Sequence, residues 1–242
     1  MRTIVRLRWW YLFPFAAGLA LLASFYLDSG VQTWIAQRQS TNMKDFMRGV
    51  SRLGDWPEHV TVGFTLLALA YWRRSKKWMR ILATMIVACA LAGAAARVIK
   101  ISTGRTRPSV QTETEWNGPR FSSRYNAFPS GHTAASTAFF AALALTSWRI
   151  GLAFLIIPLL IAFSRMYVAA HYLSDVVCAA LIGLVIAYFV ARRIPRTIQN
   201  PKSEINGGGG GIRTHEGFRP AGFQDRSHQP LDHPSGLGDA VF

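Results

Sequence analysis

The chain has 242 residues, half of them hydrophobic and only 16% charged, and its formal net charge is +15. Soluble globular chains carry about a quarter charged residues, so this deficit points away from a soluble domain and toward a membrane. The basic residues sit between long apolar runs instead of forming one stripe, which argues against nucleic-acid binding and for juxtamembrane flanks and an anionic substrate.

A membrane-crossing helix needs about 20 mostly apolar residues. Six stretches meet that pattern, near residues 10–27, 57–72, 79–98, 133–147, 150–163 and 174–191. The first follows a basic start, but no small-residue cleavage site succeeds it, so it reads as a span and not a signal peptide. Residues 31–53 alternate apolar and charged positions at helical spacing, which fits either an amphipathic interfacial helix or an ordinary loop helix. Residues 133–163 taken as one helix would bury Arg149 at the membrane centre, where charge is costly. A tight hairpin at Ser147-Trp148-Arg149 avoids this, and Pro158 is expected to kink the fifth span. The expected fold is therefore an all-α integral membrane protein. It has six transmembrane helices in a bundle, with a short amphipathic segment between the first two.

Arg2, Arg6, Arg8, the run Arg73 to Arg80, Arg149 and Arg192 to Lys202 all fall on one side of that arrangement. Basic short loops face the cytoplasm, so both ends of the six-span domain, residues 1–200, are expected there. Trp9, Trp10, Trp56, Trp72, Trp78 and Trp148 sit at span ends, as aromatic anchors do. Residues 201–242 open with Gly207–Gly211 and lose all hydrophobic period, so they read as a disordered tail. They also resemble read-through of a transfer-RNA gene, a gene-end artefact that an intact mass including the tail would rule out. Cys89 and Cys178 lie inside apolar runs and read as small packing residues.

Polar residues in an apolar chain are the informative ones. Three phrases stand out. Lys100 to Arg107-Pro108 places positive charge at a membrane edge. Arginine suits bidentate phosphate contacts and lysine point-charge contacts, although ordinary flanking charge looks the same. Pro129-Ser130-Gly131-His132 opens a helix, whose free N–H groups and dipole attract phosphate. Gly131 permits close backbone approach and Ser130 either caps the helix or donates to an oxygen. Ser164-Arg165 precedes His171 and Asp175, which share a face if helical. Such a carboxylate fixes the histidine tautomer and leaves the other nitrogen free to attack. A structural ion pair is the plainer reading of that phrase. His59 is either a helix-start histidine or a site residue, Arg97 either assists Lys100 or snorkels, and Arg105 is a candidate headgroup contact.

Together the phrases resemble the type 2 phosphatidic acid phosphatase family, whose pattern is Lys-(six)-Arg-Pro, Pro-Ser-Gly-His and Ser-Arg-(five)-His-(three)-Asp. Lys100, Arg107, Pro108, Pro129 to His132, Ser164, Arg165, His171 and Asp175 match it, and span number and motif order extend the resemblance over roughly residues 10–195. Soluble vanadium haloperoxidases share the signature, but six spans argue for the membrane branch. The resemblance implies hydrolysis of a lipid phosphate monoester or diphosphate. His171 would form a phosphohistidine, Asp175 would orient it and His132 would act as general acid. Lys100, Arg107, Arg165, Ser130 and Gly131 would hold the phosphoryl group. No carboxylate cluster is present for magnesium, so metal independence and no cofactor are expected. The expected partners are a phosphorylated lipid and membrane lipids, with no nucleic acid. The expected place is a bacterial inner membrane with the site facing outward. Candidate substrates are undecaprenyl diphosphate, phosphatidylglycerol phosphate, phosphatidic acid and lipid A phosphate. Two rival readings are lipid-to-lipid phosphate transfer at the same site and a non-catalytic membrane transporter.

Overall fold

The computed structural model describes residues 2–110 and 112–193, with side chains from Leu12 onward. The tail at 201–242 lies outside the described residues. Among those described the architecture is all-helical: α1 (Arg2–Gln37), α2 (Thr41–Arg52), α3 (Trp56–Trp72), α4 (Lys76–Thr103), α5 (Gly131–Thr146), α6 (Trp148–Phe154), α7 (Ile156–Tyr167) and α8 (Leu173–Arg193), with a short 3-10 turn at Ser123–Tyr125.

Local chemistry sets the breaks. Ser40 caps α2 by accepting the Met43 N–H at 3.3 Å, and Pro57 opens α3, where a missing N–H costs nothing. Gly104 ends α4 in the left-handed region at φ +59°. A Cβ there would lie 1.8 Å from the Gly118 carbonyl oxygen, so only glycine turns the chain at this point. Ser147 separates α5 from α6, as the expected hairpin requires, and Arg149 is exposed on it. The fifth apolar stretch breaks at Leu155, and Pro158 cannot donate to the Phe154 carbonyl one turn back.

α5 sits at the centre and packs chiefly against α4 and α8. The contact surfaces are small: Ala88, Ala92 and Ala96 on α4, Ala134, Ala135, Ala138 and Ala142 on α5, Ala179 and Ala187 on α8, all buried. Small residues let helices approach closely, and in lipid that dispersion contact is what holds a bundle together. Gly183 marks the closest approach, since a Cβ there would stand 2.8 Å from the Ala134 carbonyl oxygen. Large apolar side chains point outward instead, among them Phe15, Leu22, Phe64, Leu159 and Phe189. That inversion suits a lipid surround.

Among the described residues four segments are long and apolar enough to cross a membrane: Leu12–Gln37, Lys76–Thr103, Trp148–Tyr167 and Leu173–Arg193. The chain is thus an integral membrane protein. α3 and α5, counted as spans from the sequence, have 17 and 16 residues.

The first span is longer than the sequence suggested. The expected first span ends at 27, yet α1 continues through Asp28 to Gln37, and the Asp28 carboxylate is buried and paired. The amphipathic stretch 31–53 divides into the end of α1 and the whole of α2. α2 lies on α7, where Met47 packs with Tyr167, and the Gln39 amide donates to the Tyr167 carbonyl at 2.5 Å.

Candidate active site

Four element ends meet at one end of α5. The loop after α4 folds back on itself: Thr106 N–H donates to the Glu115 carbonyl at 2.8 Å, Asn117 N–H to the Gly104 carbonyl at 3.1 Å, and Ala127 N–H to the Arg105 carbonyl at 2.9 Å. This ladder presents Arg107 beside the start of α5. Ser130 N–H donates to the Asp175 carbonyl at 3.1 Å, which ties the start of α5 to the start of α8. Ser130 is fully buried and does not cap α5 through its side chain. Its oxygen accepts from the Thr133 hydroxyl at 3.0 Å, which leaves its own proton for another acceptor. The position a Cβ of Gly131 would take is 3.8 Å from Lys100 Nζ, so the ammonium faces the N-terminus of α5.

His171 stands in the turn before α8, 1% exposed. Its Nδ1 lies 2.6 Å from the Ala127 carbonyl oxygen. A carbonyl only accepts, so Nδ1 carries the proton and Nε2 keeps its lone pair. Asp175 Oδ2 is 3.6 Å from the same Nδ1, beyond hydrogen-bond length. Asp175 instead accepts from Tyr172 N–H at 2.8 Å and from Arg105 at 2.6 Å. The main chain therefore makes the hydrogen bond that the sequence reading gave to Asp175. Burial, and then the charges of Lys100, Arg165 and Arg107, hold the imidazole of His171 well below its ordinary pKa. It is neutral at physiological pH.

Arg165, at the end of α7, donates through Nη1 to Ser51 Oγ of α2 at 2.5 Å. Its Nε and that of Arg107 are buried with no acceptor. Buried donors are almost always paired, so two bare guanidinium nitrogens mark a place shaped for an anion. Both arginines line a pocket of about 350 Å³, together with Arg48, Ser51, Arg52, Asp55, Ser109, His132, Val168 and Ala170. Burial lowers the pKa of Arg107. His132 Nε2 pairs with Asp55 Oδ1. Burial, and then Glu58, raise the Asp55 carboxyl.

Every site residue named from the sequence falls in this region: Lys100, Arg107, Ser130, Gly131, His132, Arg165, His171 and Asp175. Two weaker readings change. Arg105 is 2% exposed and faces carboxylates, not the pocket, because each N–H of its guanidinium already has an oxygen partner. His59 is buried against Phe139 and Phe140, with Nδ1 3.0 Å from the Asp55 carbonyl oxygen, and does not line the pocket. The sequence reading missed Ser51, Asp55, the two α2 arginines and the Ala127 carbonyl. The helical spacing of 48, 51, 52 and 55 was the available signal for the α2 set. Among the described residues no group of three or more His, Cys, Asp or Glu is placed to hold a metal ion.

The fold is that of a helical membrane protein, and residues 81–199 match the PAP2 superfamily. The matched stretch holds Lys100, Arg107, Ser130, Gly131, His132, Arg165, His171 and Asp175. The chain is 34% identical over 97 residues to the lipid A 1-phosphatase of Rhizobium etli, covering 38% of this chain and 40% of that protein. It is 36% identical over 94 residues to the lipid A 1-phosphatase of Rhizobium johnstonii, covering 38% of each. The matched stretch thus spans about two fifths of these relatives. The fold resembles the crystal structure of a transmembrane PAP2-type phosphatidylglycerolphosphate phosphatase from Bacillus subtilis. The TM-score is 0.54 at 17% identity, over 76% of this chain and 98% of that one. It also resembles Aquifex aeolicus LpxE, with TM-score 0.50 and 22% identity, over 69% and 95% of the two chains.

Proposed function

We propose that this protein is a metal-independent lipid phosphatase that works through a phosphohistidine on His171. The observation that carries the reading is the hydrogen bond from His171 Nδ1 to the Ala127 carbonyl, in a buried site where Lys100, Arg107 and Arg165 converge. It leaves a neutral Nε2 lone pair beside cations fit to hold a phosphoryl group.

In the first step Nε2 attacks phosphorus and the bond to the lipid oxygen breaks. His132, paired with Asp55 and charged once the anionic phosphate is bound beside it, gives its proton to the leaving oxygen. In the second step neutral His132 takes a proton from water, the oxygen attacks phosphorus, and the phosphorus–nitrogen bond breaks to return His171 and phosphate. Lys100, Arg107, Arg165, Ser130 and the Gly131 N–H bind the phosphoryl oxygens throughout. Phosphoryl transfer depends on positioning and charge stabilisation more than on covalent help, so fixed cations serve in place of a metal.

The substrate is a phosphorylated lipid, and the activities of the similar proteins favour lipid A 1-phosphate and phosphatidylglycerol phosphate. α3 and α5 complete six spans, since about 25 Å of helix each nearly matches the hydrocarbon thickness. The basic loops then put both ends of the domain in the cytoplasm and the site on the outer face of a bacterial inner membrane.

Purified protein in detergent, given a panel of these lipids, should release phosphate from at least one. His171→Ala should insert normally and release none. Wild-type turnover by that variant rejects the assignment.

A further inference from the structure

Arg105 carries a full charge at 2% exposure, a placement that costs several kcal/mol unless every donor is matched. Here each is. Nε donates to Glu115 at 2.6 Å, and Nη1 donates to Ser174 Oγ and Asp175 Oδ1, both at 2.6 Å. Nη2 donates to Asp28 at 2.7 Å and also pairs with Glu115. The guanidinium carbon stands 4.2 Å from the Tyr172 ring centre, 5.0 Å from Trp116 and 5.4 Å from Phe25. Asp28 in turn accepts from Ser174 N–H at 2.8 Å and from its hydroxyl at 2.5 Å. α1, the loop after α4 and the start of α8 are locked by this one side chain, which has no donor left for a phosphate.

The same residue reaches His171 by two routes. Its carbonyl accepts from Ala127 N–H at 2.9 Å, and the Ala127 carbonyl is the partner of His171 Nδ1. Its side chain holds Oδ1 of Asp175, whose Oδ2 stands 3.6 Å from that nitrogen. Both oxygens nearest Nδ1 are thus placed by Arg105. The other charged or titratable groups around His171 are Lys100 from α4, Arg107 from the loop, His132 from α5 and Arg165 from α7. Asp175 is the negative charge among them, and Arg105 sets how much of it His171 feels.

We propose that Arg105, backed by Asp28, is a positioning residue for the nucleophile: it fixes the orientation and effective charge of Asp175 and so governs how readily His171 takes up positive charge during attack. This rests on the phosphatase reading above. It goes beyond that reading by giving a role to a residue that touches no substrate.

The test uses full-length wild type, Arg105→Gln, Arg105→Lys and Asp28→Asn in mixed micelles of detergent and lipid. kcat, KM and the acid limb of kcat/KM, which reports the free enzyme, are measured. Arg105→Gln should lose at least about tenfold in kcat with KM nearly unchanged, because Asp175 and the Ala127 carbonyl are no longer held and the imidazole loses its aim. Its acid limb should move to higher pH, because Asp175 then stabilises the imidazolium. Arg105→Lys should return the limb toward its wild-type place. Asp28→Asn should move it the other way, since Arg105 then screens Asp175 more fully. Circular dichroism of each variant across the same pH range separates acid unfolding from a shift of the limb, and limbs are compared only where the variant stays folded. A limb that stays put or moves down in Arg105→Gln overturns the proposal, as does a KM that rises in step with the loss. The wild type is first assayed against the lipid panel above, the variants are compared on a lipid that it hydrolyses, and a wild type that releases no phosphate from any of them overturns the phosphatase reading itself. An active wild type with unmoved limbs overturns only the role of Arg105.

Discussion

Asp55→Asn isolates the general acid. Asp55 Oδ1 pairs with His132 Nε2, and the two side chains are 42% and 25% exposed. Once His132 is charged beside the bound phosphate, a unit-charge pair at about 4 Å gains roughly 1 kcal/mol at the dielectric of water and roughly 4 at that of a protein surface. Partial exposure puts the loss on replacing the carboxylate near 2 kcal/mol, or about 30-fold in rate. The loss should appear with an alkyl phosphate, whose leaving oxygen needs a proton. With p-nitrophenyl phosphate, whose leaving group departs as a stable anion, most of the deficit should vanish. Steady-state phosphate release by purified wild type and variant on both substrates is the assay. An equal deficit on the two would refute the reasoning, because Asp55 would then act on binding or folding and not on proton transfer.

Gly183→Leu should lower the thermal midpoint in detergent, with a cost of about 1–3 kcal/mol, because its Cβ would meet the Ala134 carbonyl at 2.8 Å. An unchanged midpoint would mean that α5 and α8 are not in contact there. His171 has its pKa depressed by folding, so the unfolded state binds the extra proton. Stability should be flat above about pH 6.5 and fall by up to about 1.4 kcal/mol per unit below it. Melting of wild type against His171→Asn across that window checks this, and parallel curves would count against it. Activity should survive exhaustive chelation, and a loss restored by magnesium would contradict the charge-only cradle.

The fold class and the three site phrases were legible because each is local. A run of apolar residues, or Pro-Ser-Gly-His at a helix start, carries its meaning in adjacent positions. What the sequence hid was long-range pairing. Asp28 falls just outside the expected first span, and its partners Arg105 and Ser174 lie far along the chain. Arg105 looked like a spare phosphate ligand for the same reason. Asp55 reached the site through the fold of α2 onto α7, which the amphipathic pattern at 31–53 did not specify. The carbonyl that holds His171 was invisible in principle, since every residue has one. Span counting was limited differently: α3 and α5 are apolar but short, so length alone leaves their crossing to the packing around them.

The central claim is that His171 carries the phosphoryl group. Rapid mixing of the enzyme with a lipid monophosphate labelled with radioactive phosphorus, quenched in base, should trap label that is stable to base and lost in acid. Peptide mapping should put that label on the segment containing His171, and His171→Ala should show none. Label on another residue, or an active enzyme that never acquires label during turnover, would contradict the account.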